Sequence, residues 1–347
     1  MGADYLAGVV EGYYGREWDW ALRRQYAGFL KAQGLNTYLY CPKGDAFLRK
    51  RWQEPWPEGM RRELEKLAAC YGEQGLYWGV GLSPFALYLD YGGSERAALR
   101  SRVEQINALG GSLLAILFDD MPGDCPDLAA RQAEIVADIA AWTTASRLLV
   151  CPTYYSFDPV LERFFGAMPA HYWESLGAAL DPGIDLFWTG NSVCSPAISC
   201  ADISRIAGLM GRAPLLWDNY PVNDGERGSR FLNLAPLPGR DPDLGGVLRG
   251  HLCNPMNQGL LSRLPLLGLA RLYGRETGDL ESLVSADLAA QLHQDMADFQ
   301  SLGLDEMGEK RCLELAARYD EFDDPAASEV SAWLKGEYTF DPACLTG

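Results

Sequence analysis

Eight short runs of apolar and β-branched residues occupy roughly the first 255 positions. Between them lie longer segments whose apolar residues recur at helical spacing. The runs are LAGVVEG (6–12), NTYLYCP (36–42), YWGVGLSP (77–84), LLAILFDD (113–120), RLLVCPTYY (147–155), IDLFWTG (184–190), APLLWDNYP (213–221) and GHLCNP (250–255). The intervening segment MRRELEKLAACYGEQG is typical. Leu64, Leu67 and Ala68 share one helical face, while Arg61, Arg62 and Glu65 take others. The ends of the runs recur about every 30 to 42 residues, one βα unit each. Eight such units predict an α/β protein, a (β/α)8 TIM barrel. A doubly wound open sheet also alternates strands and helices, but no GxGxxG follows the first run, so it ranks second.

Two regions break the rhythm. Residues 222–249 are rich in Gly and Pro and read as a long loop between the seventh and eighth strands, and loops of that length at a barrel top are usually functional. From about residue 276 the pattern becomes helix only, as in SADLAAQLHQDMADFQSLG. The expected organisation is therefore a catalytic barrel over 1–275 and an acidic helical C-terminal region over 276–347. No internal repeat or low-complexity stretch appears.

Charge and cysteine content narrow the partners. The formal net charge is −17, and residues from Glu276 onward carry 17 acidic against 4 basic side chains. Such a surface suits solvent and offers no cationic patch for a nucleic-acid backbone. No apolar run approaches the roughly 20 residues needed to span a bilayer, and the start lacks a basic segment followed by an apolar one, so neither membrane nor secretory signal is expected. Nine cysteines without a CxxC pair argue against a disulfide framework or thiolate zinc site, and for a reducing, cytoplasmic setting.

The candidate chemistry lies at the strand ends. In a barrel of this kind the active site sits at the carboxyl ends of the strands. Those ends carry Glu11-Gly12, Pro42-Lys43, Asp119-Asp120, Thr153-Tyr154-Tyr155, Trp188-Thr189-Gly190, Trp217-Asp218-Asn219 and Asn254, so seven of eight strands send a polar or aromatic group to one bowl. Only three histidines occur, and His251, inside the eighth strand, reads as structural. Without HExxH, a P-loop or GxSxG, acid–base work falls to carboxylates, lysine or tyrosine. Aromatic and amide groups such as Tyr155, Trp217, Asn219 and Asp224 suit a sugar, with its apolar ring face and rim of hydroxyls.

The doublet Asp119-Asp120 poses a geometric problem. Neighbouring strand residues point to opposite faces, so the two can share a site only at the tip. Their mutual repulsion predicts that one holds its proton unusually tightly. A two-carboxylate glycosidase needs its pair on opposite sides of the scissile bond, about 5 to 9.5 Å apart. Either a distant carboxylate such as Asp224 or Glu11 completes that pair, or a 2-acetamido sugar supplies its own nucleophile.

Eight ordered motifs, GVVEGYYGREW, NTYLYCPKGD, GLSP, LFDD, CPTYYS, FWTGNSVCS, PLLWDNYPVND and NPMNQ, span residues 7 to about 270. Together they make the chain resemble glycoside hydrolase family 84, the retaining β-N-acetylglucosaminidases that include protein O-GlcNAcases. The resemblance implies substrate-assisted catalysis through an oxazoline. In that scheme Asp120 is the general acid/base and Asp119 positions the acetamide. Tyr155 contacts the acetamide oxygen and Trp217 walls it. Gly12 (through its backbone), Lys43, Asn219, Asp224 and Asn254 bind sugar hydroxyls. The implied partner is an N-acetylglucosamine-bearing glycoside or glycoprotein, with no metal or cofactor, and a helical region like this one contributes to homodimers among relatives. Tyr154, Gly44 and Asn191 depart from the family's common residues, which bears on fine specificity. The competing readings are a two-carboxylate glycosidase on another sugar and a catalytically silent carbohydrate-binding barrel.

Overall fold

The computed structural model describes residues 5–346. Eight parallel strands close into a barrel in sequence order: β1 (Leu6–Glu11), β2 (Thr37–Tyr40), β3 (Tyr77–Leu82), β4 (Leu113–Leu117), β5 (Arg147–Cys151), β6 (Asp185–Trp188), β7 (Leu215–Asp218) and β8 (Gly250–Cys253). β8 pairs with β1 to complete the ring. Every predicted run contains one of these strands, yet each strand stops before its run does. The residues left over, polar or aromatic at most tips, are loop residues at the top of the barrel, several of them still bonded through their backbone to the neighbouring strand's end. This is the (β/α)8 architecture expected from the spacing.

Helices cover the barrel because each carries one apolar stripe. α1 (Trp20–Ala32) starts at Asp19, whose carboxylate accepts the Leu22 N–H, and buries Tyr26, Ala27 and Leu30 against the strands. α2 (Glu58–Glu73) buries Leu64, Leu67 and Tyr71, so the stripe read from sequence is the core face, with Tyr71 extending it. The segment 222–249 is loop with two short 3-10 turns, Gly228–Arg230 and Leu244–Gly246, as its composition predicted. His171 precedes the helix Tyr172–Ala179 as its left-handed cap residue.

After the barrel come four helices: Ala286–Ser301, Gly303–Met307, Glu309–Tyr319 and Pro325–Leu334. They enclose a second apolar core around Phe299, Tyr319, Val330 and Trp333. That core also takes in Leu232 and Leu234 of the long loop and Leu261, Leu264 and Leu267 near the end of the barrel. Polar ties hold the two together. Glu329 accepts the Leu260 and Leu261 N–H groups, each at 3.0 Å, and Trp333 Nε1 donates to the Ser229 carbonyl at 3.1 Å. Among the described residues, no helix is long and apolar enough to cross a membrane.

Candidate active site

β4 ends at Leu117, and Phe118 still donates its N–H to the Cys151 carbonyl at 2.9 Å. The chain then leaves the sheet, and Asp120 adopts a left-handed backbone with φ 55°. Few non-glycine residues occupy that region, Asp and Asn more often than most, and a single such residue costs about 1–3 kcal/mol unless its surroundings hold it. The turn resolves the geometric problem of the doublet. Once Asp120 is off the strand, alternation no longer separates the two carboxylates. They line one pocket, and the Lys43 ammonium reaches both: it bonds Asp119 Oδ2 and lies 3.6 Å from Asp120 Oδ2.

The pocket, about 470 Å³ including its open mouth, gathers all nine residues singled out from sequence. These are Gly12, Lys43, Asp119, Asp120, Tyr155, Trp217, Asn219, Asp224 and Asn254. Among the described residues, its lining comes from the ends of β1, β2, β4, β5, β6, β7 and β8, with Cys344 and Thr346 added from beyond the last helix, and none comes from β3. That is the expected set of seven strands.

A chain of amides stiffens one wall. Gly12 N–H donates to Asn254 Oδ1 (3.1 Å), and Asn254 Nδ2 to Asn219 Oδ1 (3.0 Å), which also accepts from Trp217 Nε1 (2.9 Å). Asn219 Nδ2 ends the chain on the Val193 carbonyl at 2.9 Å. Position 12 requires glycine for a packing reason: a Cβ there would lie 2.2 Å from Trp217 Cζ2. The indole is therefore pressed flush against the backbone, an arrangement that a larger residue would destroy.

The electrostatics correct one expectation. Repulsion within the doublet was to raise one carboxyl's pKa, but Asp120 sits below the ordinary carboxylate value. Burial pushes it up, and the Lys43 and Arg49 cations, with hydrogen bonds from Tyr14 and Tyr155, more than reverse that. In the same pocket Asp224 is raised to about 6, chiefly by burial. It accepts the Tyr14 N–H at 2.7 Å. At Asp119 the Oδ1 atom is buried and has no hydrogen-bond partner among the described residues. Such an atom costs roughly 1–3 kcal/mol when left unsatisfied.

Glu11, a candidate distant carboxylate, is not in this site. It lies fully buried between β1 and α1, where Arg23 Nη2 donates to it at 2.6 Å and the Tyr38 hydroxyl also binds it. The strand-end rule fails there because Glu11 is still inside the strand, on the helix-facing side. Conversely, sequence reasoning passed over Tyr14 and Arg49. The Tyr14 hydroxyl donates to Asp120 Oδ2 at 2.6 Å and accepts from Arg49, and Arg49 Nη2 donates to the Asp120 carbonyl at 3.2 Å. Tyr14 stands two residues beyond Gly12 in the loop and was open to the same reasoning; Arg49, after a 3-10 turn, carried no local signal.

The three departures from the family pattern lie outside the pocket lining. Tyr154 turns away and donates its hydroxyl to the Gly166 carbonyl at 2.7 Å. A Cβ at Gly44 would meet Glu17 Oε1 at 2.5 Å, and Asn191 is exposed.

A sequence profile of the β-N-acetylglucosaminidase family matches residues 7–300. The protein O-GlcNAcases of Rattus norvegicus and Mus musculus are each 30% identical to the chain over 260 residues. The match covers 72% of this chain but only 28% of theirs, so the chain corresponds to a little over a quarter of those relatives. Among solved structures, a mutant of the Thermobaculum terrenum O-GlcNAc hydrolase superposes with a TM-score of 0.78 at 27% identity, covering 95% of this chain and 81% of that one.

Proposed function

This chain belongs to the β-N-acetylglucosaminidase family, glycoside hydrolase family 84, and from that premise we propose that it is a retaining exo-β-N-acetylglucosaminidase using substrate-assisted catalysis. The observation that carries the mechanism is the orphaned Asp119 Oδ1. A buried carboxylate oxygen with no donor among the described residues is suited to accept the N–H of a 2-acetamido group. That bond would orient the amide and raise the nucleophilicity of its carbonyl oxygen toward the anomeric carbon. No protein nucleophile is then needed, which fits two carboxylates that share one ammonium rather than face each other across a bond.

Asp120, within reach of Lys43 and Tyr14, takes the role of general acid and then base. Its depressed pKa describes the unliganded pocket. When a sugar displaces water and draws Lys43 onto its hydroxyls, Asp120 loses cationic neighbours and its pKa rises toward the value an acid needs. Tyr155, whose hydroxyl lies 3.3 Å from Asp120 Oδ1, contacts the acetamide oxygen, and Trp217 closes the acetamide side. The fixed amides Asn219 and Asn254, with the Gly12 backbone and Asp224, receive the hydroxyls. The substrate is an N-acetylglucosamine-bearing glycoside or glycoprotein, and the buried thiols Cys41, Cys151, Cys253 and Cys312 suit a reducing cytoplasm. We take residues 276–347 as a helical region serving the barrel, with a homodimer as its form of association.

The test is inhibition by a thiazoline analogue of the cyclised sugar, run beside hydrolysis of an aryl N-acetylglucosaminide and an O-GlcNAc peptide. Micromolar or tighter inhibition with release of N-acetylglucosamine is expected. Hydrolysis of sugars lacking the acetamide, insensitive to the thiazoline, would establish the two-carboxylate reading instead. Binding without release would establish the silent barrel.

A further inference from the structure

Beyond the last helix the chain does not run off into solvent. The Tyr338 ring lies under the Arg16 guanidinium, 5.0 Å from ring centre to Cζ, and the Thr339 carbonyl passes Gly15, 3.5 Å from where a Cβ would stand. Gly15 and Arg16 belong to the same loop after β1 that supplies Gly12 and Tyr14. At Asp341 the chain turns back: its carboxylate accepts the Ala343 N–H and its carbonyl the Cys344 N–H, both at 2.9 Å. The turn delivers Cys344 and Thr346 into the pocket lining. There Thr346 lines the same pocket as Tyr155, Asp119 and Asp120.

We propose that residues 338–346 form an internal strap that occupies the sugar pocket and must be displaced before substrate enters. The inference rests on the N-acetylglucosaminidase reading for what the pocket binds, but not for the strap itself. Three observations favour a displaceable occupant over a permanent wall. The strap's apolar anchorage is confined to its start, where the part-buried Tyr338 packs against the second core, while Phe340 and Leu345 are 37% and 50% exposed. Its polar contact at that end is an arginine–tyrosine pair, a type worth about 0.5–1 kcal/mol at exposed sites. It ends in one pocket with Tyr155, a residue the proposed acetamide must itself reach. Weak contacts suffice because the strap is tethered: at an effective concentration of order millimolar, even a millimolar intrinsic affinity keeps the pocket about half filled.

An intramolecular competitor lowers apparent affinity by the fraction of open molecules and leaves the saturated rate untouched. In the full chain, Thr346→Glu sets a carboxylate beside Asp119 and Asp120 and should expel the strap; Tyr338→Ala removes its outer anchor. Both variants are expected to lower KM for an aryl N-acetylglucosaminide, and Kd for the thiazoline, about two- to tenfold, with kcat unchanged. A higher KM or a lower kcat would mean that the strap builds the site, and unchanged constants that it does not fill the pocket; either overturns the proposal. Amide hydrogen exchange gives a readout independent of sugar chemistry. In the parent chain the Ala343 and Cys344 amides should be protected, and in Thr346→Glu exposed. Lack of protection in the parent overturns the strap whatever the enzyme does, whereas a protected strap in a chain without turnover or thiazoline binding fails the glycosidase reading alone.

Discussion

Two clusters in this barrel are built from the same parts, a buried carboxylate with cationic and tyrosine neighbours, and they do opposite things. Around Glu11, Arg23 donates through Nε and Nη2, and Tyr13 and Tyr38 donate their hydroxyls, so both carboxylate oxygens are filled. Around the doublet, Lys43, Arg49, Tyr14 and Tyr155 supply comparable donors, yet Asp119 Oδ1 is left empty and Asp120 is held in a left-handed backbone. Asp218 follows the Glu11 pattern. Arg240 takes both its oxygens and His251 Nε2 approaches one at 2.9 Å, which closes the Asp218–His251–Cys253 grouping that could otherwise hold a metal ion. The lesson is that burial and pairing alone do not separate structural from functional charge. The unfilled acceptor and the strained backbone do, because a fold retains such costs only where something else repays them.

The sharpest way to break the comparison is at Asp120. Asp120→Ala should lower kcat/KM about 10²–10⁴-fold on glycosides with poor leaving groups and far less on activated aryl glycosides, since the latter need little protonation. Equal loss on both, measured across a leaving-group series, would contradict the acid assignment. Next comes a crossed pair. Glu11→Gln leaves Arg23 buried and short of its partner, so stability should fall by about 3–5 kcal/mol in denaturant titration. Asp119→Asn should abolish most turnover at a smaller cost in stability, because Lys43 keeps Asp120 as a carboxylate partner and the unfilled Oδ1 is no longer charged. If the two variants behaved alike in both assays, the distinction between the clusters would collapse.

Gly12→Ala probes the amide wall. The added methyl must displace the Trp217 indole, and overpacking of this kind costs roughly 1–3 kcal/mol, to be read as a KM increase of up to about 100-fold with the fold intact by circular dichroism. The smallest effect is in pH. With its pKa raised to about 6, Asp224 accepts sugar hydroxyls fully only above that pH, so kcat/KM should climb through an ionisation near 6 that Asp224→Asn removes. Stability runs the other way. The folded chain holds this proton more tightly than the unfolded chain, so the stabilising contribution is complete below the ordinary 3.8 and is lost as pH rises through about 6.

Much of this was legible along the chain. Eight strands and the polar character of their tips follow from local patterning, and the nine proposed site residues converge because a parallel barrel places all carboxyl ends on one face. The errors share a cause. Glu11 looked like a tip residue because strand ends cannot be fixed to within a residue or two from pattern, and one residue decides which side of the sheet a group faces. The pKa expectation for the doublet counted its own repulsion but not Lys43 and Arg49, which arrive from another strand end and from the loop beyond it.

What the sequence determined by itself was therefore periodic or local: the order of elements, the apolar stripes, and the identities of groups at the tips, all of which depend on near neighbours. What only the tertiary structure decided was who stands next to whom across separations from 71 to 210 residues. Asp224 beneath the Tyr14 amide, Arg49 behind Asp120, and Thr346 in one pocket with Tyr155 are of this kind. Such contacts are set by barrel closure and loop packing, and long-range electrostatics follow position in space rather than position in the chain.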